Sequence, residues 1–275
     1  MLGKILCIKD GKGGTNVSVN DELGKRMKEY YEQVPKYRLM RRTPVAIRID
    51  GKAFHTFTRG FKKPFDEVLV KSMQETMRYL CENIQGCVLG YTQSDEITLI
   101  LVDYKRLNSD AWFDYEVQKM CSIAASMATM AFTQFFYDNI PVDIEYTGTY
   151  YRAIEKGAMF DARVFNIPRE EVTNLIYWRQ LDATRNSIQM VGQANFSHKE
   201  LQNKSCNKIQ DMLMLERGIN WNDFPTHLKR GSCCVKTPGV IDDCIPCMKW
   251  VIDTEIPIFK GEGREYIERL IQPEE

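Results

Sequence analysis

Two aspartates about one hairpin apart carry the chemistry that this sequence suggests. Asp50 lies in VAIRIDGKAFHTF and Asp95 lies in GYTQSDEITLIL, and each falls where a strand pattern meets a turn. Glycine or small polar neighbours leave room for a ligand beside each carboxylate. Magnesium prefers oxygen ligands and commonly takes one or two carboxylates together with substrate phosphates. If the two strands are adjacent, we expect the pair to hold divalent metal ions against a nucleoside triphosphate.

Each aspartate also has an ordinary structural explanation. Asp50 is a residue that ends a strand and Asp95 is a hairpin-turn residue, and both uses of aspartate are common. For either residue alone the structural explanation is the better one. For both together at the ends of neighbouring strands, a metal site is favoured, with the backbone carbonyl of Gly51 as a further ligand.

The hydrophobic pattern predicts the elements that position these residues. Val45, Ile47 and Ile49 alternate with Ala46, Arg48 and Asp50, so Arg48 and Asp50 share the face opposite the aliphatic side chains. Further along the chain, the pattern predicts a helix over 69–84, strands over 87–91 and 97–102 joined by TQSDE, a long helix from about Trp112, and a strand over 141–146.

This order, β-α-β-β-α-β between residues 45 and 146, is the ferredoxin-like arrangement of an α+β fold. An antiparallel sheet of four strands backed by two helices also describes the palm of many polymerases and nucleotide cyclases. In a palm, acidic residues at the end of the first strand and in the central hairpin meet on the open face. The sequence therefore predicts a poorly ordered lead-in (1–20), a palm-like catalytic domain (21–146) and a C-terminal domain (147–275).

The C-terminal part is predicted to be mainly helical. MFDARVFNIP (159–168) has the pattern of a strand that begins with Asp161 and Arg163, and a helix follows Pro168 to roughly Arg179. SHKE (197–200) has the pattern of a capping box, and a further helix is expected from Ser205 to Gly218. The tail from Trp221 is expected to be rich in loops.

Two stretches near the aspartates have residues suited to phosphate. In GKAFH (51–55), Gly51 permits a close approach, the following amides can form a nest for phosphate oxygens, and Lys52 and His55 add donors. A structural role for His55 is the alternative. In KKPFD (62–66), Lys62 or Lys63 can meet a phosphate, whereas Asp66 is interpreted from the sequence as a helix cap.

Four cysteines near the C-terminus raise the question of zinc. Adjacent cysteines rarely supply two ligands to one structural zinc, so free thiols are favoured, and the choice stays open. The residues concerned are Cys233, Cys234, Cys244 and Cys247.

Composition limits the classes of function. Lysine plus arginine and aspartate plus glutamate both number 37, so a nucleic-acid partner would need local basic patches rather than a basic protein. We find no signal-peptide pattern and no apolar run of the ~20 residues that span a bilayer. Nine cysteines without regular spacing suit reduced thiols, so a cytoplasmic protein is expected.

IRIDGKAFHTFTRGFKKPFD, followed by YTQSDEITLIL, resembles the tRNA(His) guanylyltransferase superfamily, whose members add nucleotides in the 3′–5′ direction to RNA 5′ ends. The resemblance covers most of residues 21–235. The stretch WRQ (178–180) fits the family, but DATRNS (182–187) stands where eukaryotic members have a histidine-isoleucine-asparagine-asparagine motif. QANFSHKELQNKS is more similar to the bacterial and archaeal-type branch, which favours template-directed repair of tRNA 5′ ends.

The resemblance implies two magnesium ions, ATP or GTP as substrates, tRNA as partner and a homotetramer. It implies that Asp50, Gly51 and Asp95 bind the metal ions and that Glu96 belongs to the catalytic set. It also implies an activation site at Lys63 and Asp66. The nucleotide-binding residues that it implies are Asp50, Gly51, Lys52, Ala53, Phe54, His55, Ser94 and Asp95.

Two other functions are compatible with the palm pattern. A nucleotide cyclase would use the same pair of aspartates to convert a nucleoside triphosphate into a cyclic product without RNA. A non-catalytic RNA-binding module would keep affinity for tRNA without releasing pyrophosphate, although two intact acidic positions argue against it.

Overall fold

The computed structural model describes residues 22–141, 144–241 and 245–273. The predicted lead-in over 1–20 lies outside these ranges. The chain divides into two compact units, residues 1–37 and residues 38–275. In the first unit, the described part is a helix, α1 (Glu22–Met27), that continues as a π-helical turn over Lys28–Glu32.

The second unit contains a six-stranded sheet in which every neighbouring pair is antiparallel. Its strands lie in the order β4-β1-β3-β2-β5-β6. The strands are β1 (Val45–Gly51), β2 (Cys87–Gln93), β3 (Glu96–Leu101), β4 (Phe160–Asn166), β5 (Ser232–Ile241) and β6 (Ile245–Asp253).

Helices connect and cover these strands. They are α2 (Phe54–Phe57), α3 (Glu67–Asn83), α4 (Val117–Asp138), α5 (Ile144–Lys156), α6 (Arg169–Asn195), α7 (His198–Leu201), α8 (Cys206–Arg217), α9 (Thr226–Arg230) and α10 (Glu265–Glu268). Short 3-10 turns occupy Trp112–Tyr115, Trp221–Asp223, Gly261–Arg264 and Arg269–Ile271.

The alternation in β1 divides its side chains between two cores. Val45, Ile47 and Ile49 pack with α3 and α4 on one face of the sheet. On the opposite face, Ala46 belongs to a second core that Val172 of α6 and the C-terminal segment also join. The register then puts Arg48 and Asp50 on the α6 side, beyond the apolar part of that face. The predicted sharing of one face by Arg48 and Asp50 agrees with this register.

The β1-α3-β2-β3-α4-β4 succession, with strand order 4-1-3-2, is the ferredoxin-like motif, and the α+β prediction is confirmed. The predicted fourth strand over 141–146 is wrong, because the fourth strand is β4 and helix α5 starts at Ile144. Six alternating residues fit a strand, but Tyr146, Tyr150 and Ala153 continue at helical spacing and pack against the first core. The predicted domain boundary after residue 146 stays a prediction.

Three predictions for the C-terminal part are settled by the elements themselves. Ser197 and Glu200 form the expected capping box. The helix after Pro168 runs to Asn195 instead of ending near Arg179. The tail is not loop-rich, because β5 and β6 form a hairpin that extends the sheet beyond β2. Pro238 and Gly239 lie in the outer part of β5, where β6 is its only described neighbour in the sheet.

Candidate functional site

The two aspartates come together at the ends of adjacent strands. Asp50 is near the end of β1 and lies opposite Glu96 at the start of β3. Asp95 sits in the turn between β2 and β3, and the amide of Gly51 donates a hydrogen bond of 3.0 Å to the Asp95 carbonyl. This bond ties the end of β1 to the hairpin turn, as the palm pattern predicts.

The electrostatics of Asp95 reflect this placement. Burial raises the pKa of the Asp95 carboxyl above its ordinary value, and the nearby charge of Asp50 raises it further. Hydrogen bonds to this carboxyl from the Ser94 hydroxyl and from the backbone amide of Asp95 lower its pKa. Ser94 is well placed for this, since its left-handed backbone (φ 51°) turns the hairpin and its Oγ lies 3.0 Å from Asp95 Oδ1.

The segment after β1 turns sharply beside the carboxylates. The Lys52 amide donates to the Met159 carbonyl at 2.8 Å, and Ala53 adopts a left-handed conformation (φ 53°) before α2 begins. A Cβ atom on Gly51 would lie 2.3 Å from the ring of Phe54, so only glycine fits there. The amides at the start of α2 are those that lack acceptors within a helix.

An open cleft of about 500 Å³ lies beside this turn. Most of the residues predicted to bind nucleotide or to form the activation site line it. Two residues from the end of α6, Met190 and Gln193, close another side of the cleft. These two residues were not predicted, because the helix was expected to end near Arg179. The predicted residues in the lining are Gly51, Ala53, Phe54, His55, Lys63, Asp66, Ser94 and Asp95.

Asp66 is a helix cap, as the sequence predicts, and it also fastens the loop before α3. Its Oδ1 accepts from the Leu69 amide at 3.0 Å, and its Oδ2 accepts from the Lys62 amide at 3.0 Å and from the Tyr150 hydroxyl at 2.8 Å. These bonds fix the segment that presents Lys63 to the cleft. Tyr150 gave no signal in the sequence, because its segment was interpreted as following a strand.

Glu96 is buried between two arginines. Its Oε2 lies 2.8 Å from Arg48 and its Oε1 lies 2.7 Å from Arg179, and 4% of the residue is exposed. Burial raises the pKa of Glu96, and both arginines oppose that rise. Arg179 also contacts Asp182 at 2.7 Å. The carboxylate of Glu96 thus anchors α6 to the sheet beside Asp50, and its assignment to the catalytic set stays a prediction.

Asp161 is an acidic neighbour of Asp50 that the sequence analysis noted without a role. It lies directly opposite Asp50 on β4, and its Oδ1 is 3.3 Å from Arg163. Side chains of directly opposed residues in antiparallel strands are roughly 5 Å apart at Cβ. Asp161 therefore flanks the pair of aspartates on the side away from Glu96.

The predicted zinc alternative finds no support in the described part of the chain. Cys233 and Cys234 are buried in β5, whereas Cys247 lies opposite Gly239, six pairs further along the hairpin. Six residues of strand correspond to about 20 Å, too far for one tetrahedral site. Cys244 lies outside the described residues. Within the described residues, no group of three or more His, Cys, Asp or Glu side chains is arranged to hold a metal. The helices of these residues also include none that is long and apolar enough to span a membrane.

Comparisons with known proteins identify the family and support the fold. The family model for tRNA(His) guanylyltransferase (Thg1) matches residues 24–168. A bacterial tRNA(His) guanylyltransferase-like protein solved with ATP is 41% identical at a TM-score of 0.78, over 91% of this chain and 99% of that one. A bacterial structure solved with GTP gives 39% and 0.73, with the same coverage.

Among named enzymes, the tRNA(His) guanylyltransferase of Saccharomyces cerevisiae is 26% identical over 214 residues, which cover 72% of this chain and 84% of that protein. The family match spans β1, β2, β3 and β4 and therefore includes both aspartates. The resemblance predicted from the sequence is confirmed. The chain belongs to the tRNA(His) guanylyltransferase family and is a nucleotidyltransferase.

Proposed function

We propose that this protein adds nucleotides in the 3′–5′ direction to the 5′ end of tRNA, in a magnesium-dependent reaction that consumes ATP or GTP. The observation that carries the proposal is the meeting of Asp50 and Asp95 at one end of the sheet, beside a cleft that Lys63 enters. The ATP and GTP complexes of the bacterial relatives support a nucleotide in such a cleft.

The residues present fit magnesium. The charge of Asp50 raises the pKa of Asp95, so the two carboxylates repel each other where a divalent cation would relieve the repulsion. Asp50, Asp95 and the Gly51 carbonyl would hold two ions, which when bound would neutralise phosphate charge and make the attacking hydroxyl more acidic. Two carboxylates suffice because substrate phosphates complete the coordination of magnesium.

The turn after β1 would hold the nucleoside triphosphate. Gly51 lets the backbone come close, and the amides of Ala53, Phe54 and His55 would donate to phosphate oxygens. Lys52 and Ser94 would add donors from either side of the turn. Lys63 would contact phosphates of the activating nucleotide, and Asp66 would keep that lysine in place through its bonds to the Lys62 amide and Tyr150.

The reaction then has two balanced steps. The 5′-monophosphate of the RNA attacks the α-phosphate of ATP or GTP and releases pyrophosphate, which leaves a nucleoside monophosphate joined to the RNA 5′ end. The 3′-hydroxyl of an incoming nucleoside triphosphate next attacks the RNA 5′-phosphate and displaces that nucleoside monophosphate. An RNA that already carries a 5′-triphosphate skips the first step. Positioning and charge neutralisation supply most of the catalysis in phosphoryl transfer.

Three finer features belong to the same proposal. Template-directed repair of truncated 5′ ends is favoured over a strict requirement for tRNA(His), because Thr184 and Arg185 stand where the eukaryotic motif has histidine and isoleucine. The working form is a homotetramer. The protein acts in the cytoplasm.

Labelled GTP supplied with and without a tRNA that lacks its first residue tests the proposal. Wild-type protein should extend the RNA in magnesium, more with a complementary than with a mismatched nucleotide, and not in EDTA. Asp50→Ala and Asp95→Ala should each reduce addition at least about 100-fold, since both would hold the metal. Asp211→Ala, at an exposed position on α8, is the matched control and should stay active.

The same assay separates the other two functions. A cyclic product without RNA would indicate a nucleotide cyclase, and tRNA binding without pyrophosphate release would indicate a binding module. Near-normal addition by either Asp50→Ala or Asp95→Ala would show that the shared metal site is assigned incorrectly.

A further inference from the structure

An exposed tryptophan stands beside the candidate metal site on the α6 side of the sheet. Trp178 of α6 is 52% exposed, although tryptophan is usually well buried. The Arg179 guanidinium lies 4.4 Å from its ring centre and that of Arg48 lies 5.6 Å away. Both arginines are held by Glu96, so the indole rests on a fixed support.

Two exposed arginines lie near Trp178 on the same face of the molecule. Arg163, opposite Arg48 on β4, and Arg185, further along α6, have 56% and 61% of their side chains exposed. Residues seven apart on a helix project to nearly the same side, so Arg185 follows Trp178 along one edge of α6. Asp161 contacts Arg163 and Asp182 contacts Arg185, yet more than half of each arginine side chain stays exposed.

The position of Trp178 separates it from the nucleotide cleft. Met190, which lines the cleft, is twelve residues further along α6. That spacing corresponds to about 18 Å along the helix axis and to about a third of a turn around it. Asp50, by contrast, is two residues from Arg48 on β1, or about 7 Å. Trp178 and the cleft thus approach Asp50 from different directions.

We propose that Trp178 stacks on the 5′-terminal nucleobase of the RNA substrate, and that Arg163 and Arg185 contact the adjoining phosphates. This proposal rests on the proposed function, since it assigns the second substrate of the same site. The incoming nucleotide occupies the cleft, so the group that reaches Asp50 from the α6 side is the RNA end. Stacking on an aromatic ring accepts any base, whereas exposed arginines attract the phosphates of the backbone.

The test uses full-length protein and a 5′-truncated tRNA carrying 2-aminopurine as its first base. Wild-type protein should quench the fluorescence of this base on binding, and Trp178→Ala should abolish the quenching. Trp178→Ala should also weaken RNA binding roughly 5- to 150-fold, while Trp178→Phe should recover most of the affinity. Tyr137→Ala is the matched control, because Tyr137 is 58% exposed on α4, across the sheet.

The outcomes distinguish the two proposals. If wild-type protein adds no nucleotide to any tRNA, the proposed function fails. If wild-type protein adds nucleotides but folded Trp178→Ala quenches the base and binds RNA as wild type does, the stacking proposal alone is overturned. A rise in the KM for the incoming nucleotide with unchanged RNA affinity would also overturn it, since the ring would then hold the other substrate. A 2-aminopurine in the anticodon loop should respond equally to wild type and Trp178→Ala.

Discussion

Asp95 is a residue whose ionised carboxyl group serves the proposed chemistry but lowers the stability of the metal-free fold. Its pKa is raised by burial and by the charge of Asp50, so the folded protein holds this proton more tightly than the unfolded chain does. The stabilisation from that proton is complete below the unfolded pKa. It is lost as the pH rises through the higher, folded pKa, so at neutral pH the ionised group destabilises the metal-free fold.

Asp95→Asn should therefore raise the Tm of the metal-free protein at pH 7, because the neutral amide removes the cost of burying the charge. The same variant should lose nucleotide addition by about 100-fold or more, since an amide is a poor magnesium ligand. Thermal unfolding in EDTA, compared with labelled-nucleotide addition, measures both effects. The gain in Tm should shrink as the pH falls towards 4.

An exposed aspartate provides the comparison for this variant. Asp211→Asn, on the exposed side of α8, should change neither Tm nor activity appreciably. Magnesium should raise the Tm of wild type and leave that of Asp95→Asn unchanged, because ligands stabilise only the state that binds them. A lower Tm for Asp95→Asn in EDTA would contradict the account of its electrostatics.

Asp50 and Asp95 could be predicted as site residues because the residues next to them in the sequence determine where they lie. Each follows a clear strand pattern, and a turn residue after a strand needs no knowledge of distant contacts. The partners of Glu96 and Asp66 were not visible for the opposite reason. Arg179 meets Glu96, and Tyr150 meets Asp66, across more than eighty residues in each case. Such pairs depend on how helices pack, which the pattern of one chain does not determine.

At the scale of elements, the turn from β1 into α2 depends on one glycine. Phe54 is 4% exposed and its ring contacts Phe57, Phe132 and Phe160 at centroid distances of 5.1–5.6 Å, so it has no room to move. A Cβ at Gly51 would lie 2.3 Å from this ring. The conflict would displace the amides that follow β1 and the carbonyl proposed as a metal ligand.

Gly51→Ala should destabilise the fold by about 1–3 kcal/mol, the usual cost of overpacking a core. It should also reduce nucleotide addition more than RNA binding, because the displaced turn lies at the nucleotide cleft. Urea unfolding and the addition assay measure the two effects. Gly148→Ala is the matched control, since a Cβ there meets nothing within 4 Å and the residue is exposed in α5.

The control variant Gly148→Ala should change the stability in the opposite direction from Gly51→Ala. Alanine in the middle of a helix is favoured over glycine by roughly 0.5–1 kcal/mol, so Gly148→Ala should stabilise the protein slightly. Equal stability for the two alanine variants would mean that Phe54 can move aside and that Gly51 is not required by packing.

The type of an element was predicted wrongly where a short hydrophobic pattern fits both a strand and a helix. The alternation at 141–146 fits a strand over six residues, and only the continuation through Tyr150 and Ala153 shows the helical spacing of α5. β5 and β6 were missed because the whole tail from Trp221 was expected to be rich in loops. These strands are stabilised by backbone hydrogen bonds to each other and to β2, which cannot be predicted from the local sequence.

At the scale of the whole molecule, the C-terminal segment completes the second core. Ile256, Phe259, Ile267 and Ile271 are buried with Val172 and Ile176 of α6 and with Tyr91 of β2. Gln180, within the WRQ stretch, accepts from the Phe259 amide at 3.0 Å and donates to the Pro257 carbonyl at 2.8 Å. The tail therefore holds α6 on the sheet, and α6 carries Arg179 to Glu96 beside the candidate site.

Phe259→Ala should destabilise the protein by about 3–5 kcal/mol, because it empties a fully buried position between Tyr91 and Tyr266. Ile258→Ala, at the preceding residue, should cost less than about 0.5 kcal/mol, since that side chain is 50% exposed. Urea unfolding followed by circular dichroism compares the two variants. Because α6 would be held less firmly, Phe259→Ala should also bind RNA more weakly than wild type under conditions where most of the protein is folded. If the two variants unfolded at the same urea concentration, the tail would be an appendage and α6 would be held by the sheet alone.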